Sequence, residues 1–285
     1  MKKAVSIFLF VIIISALTPI IAWADAGPKP SVTIEFKGLD NVDYYATLLS
    51  STESYGPNRA GDPYQQYMGS YEAYLRFTEY EDTDGFYFIS YYEDCSKTNK
   101  FRWTYYPPEK FKVLLYFPDT DTFVVSDEIY ERYAFDSYFR AEVTEQGGDM
   151  PAHTSITMSK SYRFVTETIS LIIRIILTIA IELGIAWLFG LREKKIFRFI
   201  AIVNIVTQIA LNLALNTINY HWGGLAFFFF YILLELSVFG LEALIYTIQL
   251  TPEVRKGRLI LYAFSANLAS FFVGLILAVF IPFIF

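Results

Sequence analysis

The C-terminal half of this chain contains four long apolar segments, and they limit what the chain can fold into. The segments cover residues 164–191, 196–220, 225–250 and 259–285. Each exceeds the roughly 20 residues that an α-helix needs to cross a bilayer. We therefore expect a membrane protein in which residues 161–285 form a four-helix transmembrane bundle with the lipid bilayer around it.

The connectors between these segments predict the orientation of the helices. The first connector, residues 192–195, and the third, residues 251–258, are basic, whereas the second, residues 221–224, has no lysine or arginine. Positively charged connectors stay on the cytoplasmic side of a membrane. We expect a multi-pass protein of the bacterial plasma membrane, with residues 25–160 and the C-terminus on the external side.

The N-terminus has the pattern of an export signal. Two lysines precede an apolar run at residues 4–21, and the sequence Ala-Trp-Ala at residues 22–24 fits the small-x-small rule for signal peptidase. We interpret residues 1–24 as a signal peptide. A retained anchor helix is the alternative, because the apolar run is long for a signal peptide.

The segment between the signal and the first apolar helix is acidic and rich in tyrosine. Residues 25–160 contain 23 Asp and Glu against 12 Lys and Arg, and 17 of the 22 tyrosines. The negative charge argues against nucleic acid as a partner. The aromatic content predicts a folded domain rather than a disordered segment.

β-branched and aromatic runs bounded by turn residues predict the fold of this domain. The turn at residues 118–121 joins the last two runs as a hairpin. We expect an all-β, sandwich-like external domain of about seven strands. Residues 70–78 fit a short helix or a strand, and the sequence does not decide between them. The runs cover residues 31–37, 44–50, 86–92, 111–117 and 122–126.

The second apolar segment carries a stripe of amides. Asn204, Gln208, Asn212 and Asn216 recur every four residues, and at 100° per residue they share one face of a helix. Hydrocarbon offers no hydrogen-bond partner, so this face must meet polar groups or water.

The other apolar segments carry polar residues that can meet this stripe. Arg174 and Glu235 lie at similar depth near mid-membrane, and we expect them to pair. Glu182 and Glu242 lie at a second, more inward level, where the first two amides of the stripe also arrive. With no cation at that level, at least one of the two carboxyls is expected to be protonated. The fourth segment contributes Asn267 on a small, polar face.

Motifs typical of soluble enzymes are missing from the sequence. It contains no Gly-rich phosphate loop, no His-Glu-x-x-His, no Gly-x-Ser-x-Gly and no Cys-x-x-Cys. The single cysteine, Cys95, permits no intramolecular disulfide and is expected in the core. Two acidic clusters, at residues 79–84 and 119–127, lack the ligand spacing of an EF-hand. We therefore expect no enzyme activity, no metal and no cofactor.

Three runs of the chain resemble those of a group of exported proteins. They are FKVLLYFPDTDTFVVSDEIYERYAFDSYF, IELGIAWLFGLREKK and LLELSVFGLEALIY, which begin at Phe111, Ile181 and Leu233. They are similar to runs in uncharacterised bacterial exported membrane proteins that have a signal peptide, a β-rich external domain and four C-terminal spans. The resemblance covers nearly the whole chain and implies this layout, but it implies no activity.

Two functions remain open at this point. The first is an envelope binding or sensing protein, whose external domain engages a ligand or partner while the bundle anchors and couples it. The second is a small ion- or proton-coupled transporter or channel subunit that uses the intramembrane carboxylates. A neighbouring membrane protein or a second copy of the chain is a possible partner. A purely structural role for the polar core is also open.

Overall fold

The structure is a computed structural model that describes residues 27–63, 69–145, 154–162, 164–251 and 253–280. In these ranges the chain forms an N-terminal β-rich domain and a C-terminal helical domain. The expected signal peptide, residues 1–24, lies outside the described residues.

The β-rich domain consists of short strands and one helix. Ten of its twelve described strands form two sheets, and the other two strands pair only with each other. The elements are β1 (Ser31–Lys37), β2 (Tyr45–Ser50), β3 (Ser54–Tyr55), β4 (Asn58–Arg59), α1 (Tyr71–Glu79), β5 (Tyr87–Phe88), β6 (Glu93–Asp94), β7 (Lys100–Trp103), β8 (Lys110–Phe117), β9 (Thr122–Val125), β10 (Tyr130–Glu131), β11 (Asp136–Glu145) and β12 (Thr154–Lys160).

Two sheets share one hydrophobic core. The first has the strand order β12-β11-β1-β7, with β1 and β11 parallel; the second has the order β10-β8-β2-β5, with β6 and β9 paired to β2 and β8. Val32 and Ile34 of the first sheet lie in the same buried cluster as Leu48 and Val113 of the second. Successive residues of a strand point to opposite faces, so each strand gives its apolar face to this core. Cys95 is also buried in it, and burial raises the pKa of its thiol.

The structure decides the question left open at residues 70–78: residues 71–79 form the helix α1, so the domain is β-rich and not all-β. The Ser70 side chain accepts a hydrogen bond from the Ala73 N–H at 3.3 Å and caps the helix N-terminus. Ala73, Tyr74 and Phe77 are buried on one face of the helix. They lie in one cluster with apolar residues of β2, β5 and β8, so α1 covers the second sheet.

Four of the five predicted strand runs are confirmed, at residues 31–37, 44–50, 111–117 and 122–126. The fifth, residues 86–92, is a strand only at Tyr87–Phe88. The prediction of about seven strands is too low, because it omits β7, β11 and β12 and the short edge strands. In β11, Phe139, Ala141 and Val143 are buried and alternate with exposed charged residues. The sequence therefore alternates with a period of two, as a strand does. The pattern is weak because Ala141 is only slightly apolar and the alternate positions are charged.

The helical domain contains three described helices that are long and apolar enough to span a membrane. They are α2 (Phe164–Leu188), α3 (Lys194–Leu250) and α4 (Lys256–Phe280). The second and third apolar segments of the sequence both fall within α3, which contains 57 residues. The structure therefore shows three helices where the sequence predicts four spans.

Gly223 interrupts α3. Its backbone is non-helical, with φ 78° and ψ 179°. The halves on either side lie against each other: the Thr207 hydroxyl donates to the Glu242 carboxylate at 2.6 Å, although the two residues are 35 positions apart. A straight helix of this length would extend about 85 Å and could not make that contact. The chain thus reverses direction at Gly223.

The β-rich domain rests on this reversal. The Phe135 N–H donates to the Tyr220 carbonyl at 2.8 Å. The ring of Tyr220 lies 6.4 Å from that of Tyr133 and 5.4 Å from that of Tyr162, measured between centroids. A Cβ on Gly223 would overlap the Phe135 ring. The two domains are therefore held together by a tyrosine-rich junction.

Gly223→Ala is expected to destabilise the protein. The substitution places a side chain in the left-handed region, which costs about 1–3 kcal/mol, and it forces the new Cβ against Phe135. Gly224→Ala is the matched control, because a Cβ there meets no atom within 4 Å. Melting of the detergent-purified protein should show a lower transition for the first variant only. Equal transitions for both variants would contradict the role assigned to Gly223.

Candidate functional site

The helical domain is apolar on its outside and polar inside. Large aliphatic and aromatic side chains cover the surface of the three helices, as a lipid-facing surface requires. Most of the polar side chains that the sequence predicts for the core are buried inside the domain. The exposed apolar residues include Ile169, Ile172, Ile176, Ile202, Val206, Leu213, Phe229, Leu233, Leu236, Leu244, Ile248, Leu261, Phe264 and Phe272.

A hydrogen-bonded group of polar side chains lies where α2, α3 and α4 meet. Asn204 of α3 is fully buried, and its Nδ2 donates to Glu182 Oε2 of α2 at 2.7 Å. The same nitrogen lies 3.1 Å from the Tyr246 hydroxyl and 3.1 Å from the Ile200 carbonyl. Glu182 is also fully buried. Asn204 therefore links α2 to both halves of α3.

Glu242 is the second carboxyl of this group. Its Oε1 accepts from the Thr207 hydroxyl at 2.6 Å, and its Oε2 accepts from Asn267 Nδ2 of α4 at 2.9 Å and from the Tyr246 hydroxyl at 3.5 Å. Glu242 and Asn267 are almost completely excluded from solvent. Every helix of the domain therefore contributes to one network. We refer to Glu182, Asn204, Thr207, Glu242, Tyr246 and Asn267 as the inner cluster.

Three buried polar atoms beside these bonds have no hydrogen-bond partner within the part of the chain that the structure describes. They are Glu182 Oε1, Asn204 Oδ1 and the Tyr262 hydroxyl. The Tyr262 ring lies 5.6 Å from the Tyr246 ring, so all three atoms belong to the inner cluster or to its immediate neighbour. Buried polar groups are rarely left unsatisfied, which makes this the chemically unusual part of the domain.

A small cavity of about 30 Å³ lies next to the inner cluster. Arg174, Glu235 and Tyr231 line it together with Gln208 and Asn212. Asn212 Nδ2 donates to the Gln208 carbonyl at 2.8 Å. Arg174 and Glu235 thus line the same cavity. The ion pair expected between them stays a prediction.

A larger cavity of about 410 Å³ lies at the junction of the two domains. The β-rich domain contributes Asp136 and Tyr138, and α3 contributes Asn216 among others. The Tyr162 hydroxyl donates to Glu167 at 2.7 Å; burial and this carboxylate raise the pKa of that hydroxyl. Arg174 lines both this junction cavity and the small cavity below it.

The interior of the domain is apolar at the end opposite the junction. Leu191, Ile196, Leu250 and Leu259 belong to one buried cluster that lies beyond the inner cluster. Lys195 forms an ion pair with Glu253, and Arg258 donates to the Phe189 carbonyl, so both basic connectors are tied together at this end. The two polar cavities thus lie on the junction side of the inner cluster, and an apolar layer lies on its other side.

A third cavity, of about 920 Å³, is a groove on the β-rich domain. Tyr105 is 40% exposed at its edge, whereas Trp103 is 1% exposed and donates from Nε1 to the Tyr105 carbonyl. Glu93 accepts from the Tyr91 hydroxyl and from the Arg102 N–H, both at 2.7 Å. The groove thus combines a fixed aromatic floor with polar walls. Its lining includes Asn58, Asp62, Ser90, Tyr91, Glu93, Asp94, Lys100, Trp103, Thr104 and Tyr105.

The two acidic clusters of the β-rich domain make ion pairs. Asp82 and Asp84 both accept from Lys112, whose side chain is only 3% exposed. Arg76 donates to Asp121 at 2.7 Å and lowers the pKa of that carboxyl. Within the described parts of the chain, no group of three or more His, Cys, Asp or Glu side chains is arranged to hold a metal ion.

The structure brings most of the predicted polar residues together. Glu182, Glu242, Asn204 and Asn267 meet in the inner cluster, and the remaining amides line the two cavities above it. Thr207 of the inner cluster and the neighbouring Tyr262 were not predicted from the sequence. Thr207 lies three residues after Asn204, about 60° from the amide stripe, so a wider polar face would have included it. Tyr262 gives no such signal.

Comparison with known proteins adds no assignment. No protein-family model, curated protein or solved structure matches this chain. The resemblance to exported membrane proteins therefore stays a prediction, and function must be argued from the site.

Thr207→Val is expected to weaken the helical domain. The substitution keeps the side-chain shape but removes the donor to Glu242, and losing such a buried bond costs about 1–3 kcal/mol. Thr217→Val is the matched control, because Thr217 is exposed and bonds only its own helix, at the Leu213 carbonyl. Unfolding of the purified protein in mixed detergent micelles measures both. A control as destabilised as Thr207→Val would show that the bond to Glu242 contributes nothing specific.

Proposed function

We propose that this protein is a membrane-anchored envelope protein that binds a ligand or partner protein through its external β-rich domain. The helical domain anchors the protein and couples the bound state to the membrane. The observation that carries the proposal is the junction cavity, because residues of the β-rich domain and of α2 and α3 line it together. A change in one domain therefore acts directly on the other.

The membrane topology follows from the reversal at Gly223. Under this proposal α3 crosses the membrane twice, so α2, the two halves of α3, and α4 make a four-helix bundle. The basic connectors at residues 192–195 and 251–258 lie on the cytoplasmic side of a bacterial plasma membrane. Residues 25–160, the turn at Gly223 and the C-terminus lie outside. Residues 1–24 act as the export signal that this arrangement requires.

The groove on the β-rich domain is the proposed binding site. An exposed aromatic ring such as Tyr105 offers an apolar face, and neighbouring amides, hydroxyls and carboxylates offer hydrogen bonds. That combination suits an extended polar chain, such as a glycan or a peptide segment. The buried Trp103 beneath Tyr91 supports the floor, with ring centroids 4.5 Å apart, and keeps it rigid.

Coupling runs through the contacts that the β-rich domain and the start of the helical domain make with Tyr220 of α3. Phe135 bonds the Tyr220 carbonyl, and Tyr133 and Tyr162 pack on the Tyr220 ring. Tyr220 lies three residues before Gly223, on the helix half that also carries the amide stripe. Movement of the β-rich domain is thereby transmitted to the polar interior.

Site-specific photo-crosslinking in intact cells tests the binding site. A benzophenone amino acid at Tyr105 should form an adduct, and the same amino acid at Ile129, which is 53% exposed outside the groove, should not. Thr104→Trp, which fills the groove from its exposed wall, should abolish the adduct. The proposal fails if no adduct forms at Tyr105, or if the Ile129 probe and the Thr104→Trp variant give the same adducts.

A second candidate is a small proton- or ion-coupled transporter or channel subunit. The observation that favours it is the position of Arg174, which lines both polar cavities between the junction and the inner cluster. Under this alternative, a hydrated path leads from the external side toward Glu235, Glu182 and Glu242.

Flux in proteoliposomes separates the two candidates. If the protein conducts protons, a pH-sensitive dye should report flux that Glu235→Gln abolishes without loss of reconstituted protein. Ser237→Ala is the matched control, because Ser237 is exposed on the same helix half and bonds only its own backbone at the Leu233 carbonyl. Wild-type liposomes with no flux above empty liposomes would exclude proton conduction under these conditions and leave the binding role.

A further inference from the structure

The bond between Glu182 and Asn204 leaves one oxygen of each side chain unsatisfied. Asn204 Nδ2 donates to Glu182 Oε2 at 2.7 Å, while Glu182 Oε1 and Asn204 Oδ1 have no partner among the described residues. Both side chains are fully buried. A carboxylate oxygen and an amide oxygen are both acceptors, so neither can bond the other without an added hydrogen.

Reversal of the Asn204 amide does not solve this problem. The Nδ2 atom also lies 3.1 Å from the Ile200 carbonyl, which can only accept. Exchanging the nitrogen and oxygen would place two acceptors against each other at Ile200 and two more at Glu182. The neighbouring bonds therefore fix the orientation of the amide.

The two carboxyls of the inner cluster have unequal surroundings. Glu242 accepts from Thr207, Asn267 and Tyr246, and such donors stabilise a carboxylate. Of the described residues, only Asn204 donates to Glu182. Two negative charges in one buried network with no cation inside it would repel each other. A proton is therefore best held on Glu182, and Glu242 remains the carboxylate.

We propose that Glu182 and Asn204 form a proton-binding site. A proton on Glu182 Oε1 makes that atom a donor to Asn204 Oδ1, so the carboxylic acid and the amide form two parallel hydrogen bonds. One proton thus satisfies both orphaned acceptors and removes one of the two buried charges. This site goes beyond the binding role of the β-rich domain and is compatible with either candidate function.

The groups around the site set how it responds to pH. Tyr246 of α3 and Tyr262 of α4 face Glu182, and Glu242 of α3 is the nearest other carboxyl. Arg174 and Glu235 lie in the next cavity outward. The amides Gln208, Asn212 and Asn216 line the cavities between the site and the β-rich domain, and an apolar layer lies on the opposite side of the site.

Infrared spectroscopy of the full-length protein in detergent tests the proposal. At neutral pH the wild type should show the carbonyl stretch of a protonated carboxylic acid, and this band should shift in heavy water. Glu182→Gln should remove the band, and Glu242→Gln should keep it. A band that survives in Glu182→Gln, or a wild type with no such band, would overturn the assignment.

Thermal stability gives a second, independent readout. Glutamine at position 182 can donate from its amide nitrogen to Asn204 Oδ1 and so reproduces the protonated acid. Glu182→Gln should therefore melt within a few degrees of the wild type and lose the stability change that the wild type shows on alkaline titration. A large fall in melting temperature at neutral pH would contradict a neutral Glu182. Stabilisation of the wild type by sodium but not by choline, absent in Glu182→Gln, would identify a metal cation instead and would also overturn the proposal.

Discussion

The reversal of the chain at Gly223 is the constraint on which the rest of the structure depends. Without it, Thr207 and Glu242 would lie on distant parts of one helix, and the inner cluster could not form. The same turn provides the surface on which Phe135 and Tyr220 join the two domains. Only glycine adopts the required backbone without strain and leaves room for the Phe135 ring. One residue therefore links the helical interior to the β-rich domain.

The polar interior follows from burial inside an apolar surface. Carboxyl and amide groups that are excluded from water and lipid must bond each other, and three of the bonds here join different helices or helix halves: Asn204 to Glu182, Thr207 to Glu242 and Asn267 to Glu242. This arrangement specifies one packing of the helices, because any other rotation would leave Glu182 or Glu242 without donors. The same network also brings two carboxyls together, so helix packing and proton binding are two consequences of one set of contacts.

Much of this domain could be predicted from the sequence, because an amide at every fourth position in an apolar segment has few explanations. The period places Asn204, Gln208 and Asn212 on one face, and depth alone places Glu182 and Glu242 at the same level. The contacts within the inner cluster were harder to predict from the sequence. Tyr262 belongs to no periodic pattern, and its position depends on how α4 packs. In the β-rich domain, charged residues on the exposed face of β11 concealed a strand, and α1 required the Ser70 cap to be recognised.

Cysteine accessibility tests the reversal most directly. In a Cys95→Ala background, single cysteines at Asp119, His221 and Glu193 report on the β-rich domain, the turn at Gly223 and the first basic connector, and all three positions are exposed. A membrane-impermeant maleimide should label Asp119→Cys and His221→Cys on intact cells, and should label Glu193→Cys only after the membrane is opened. Labelling of positions 193 and 221 from the same side would contradict a reversal that spans the membrane between them.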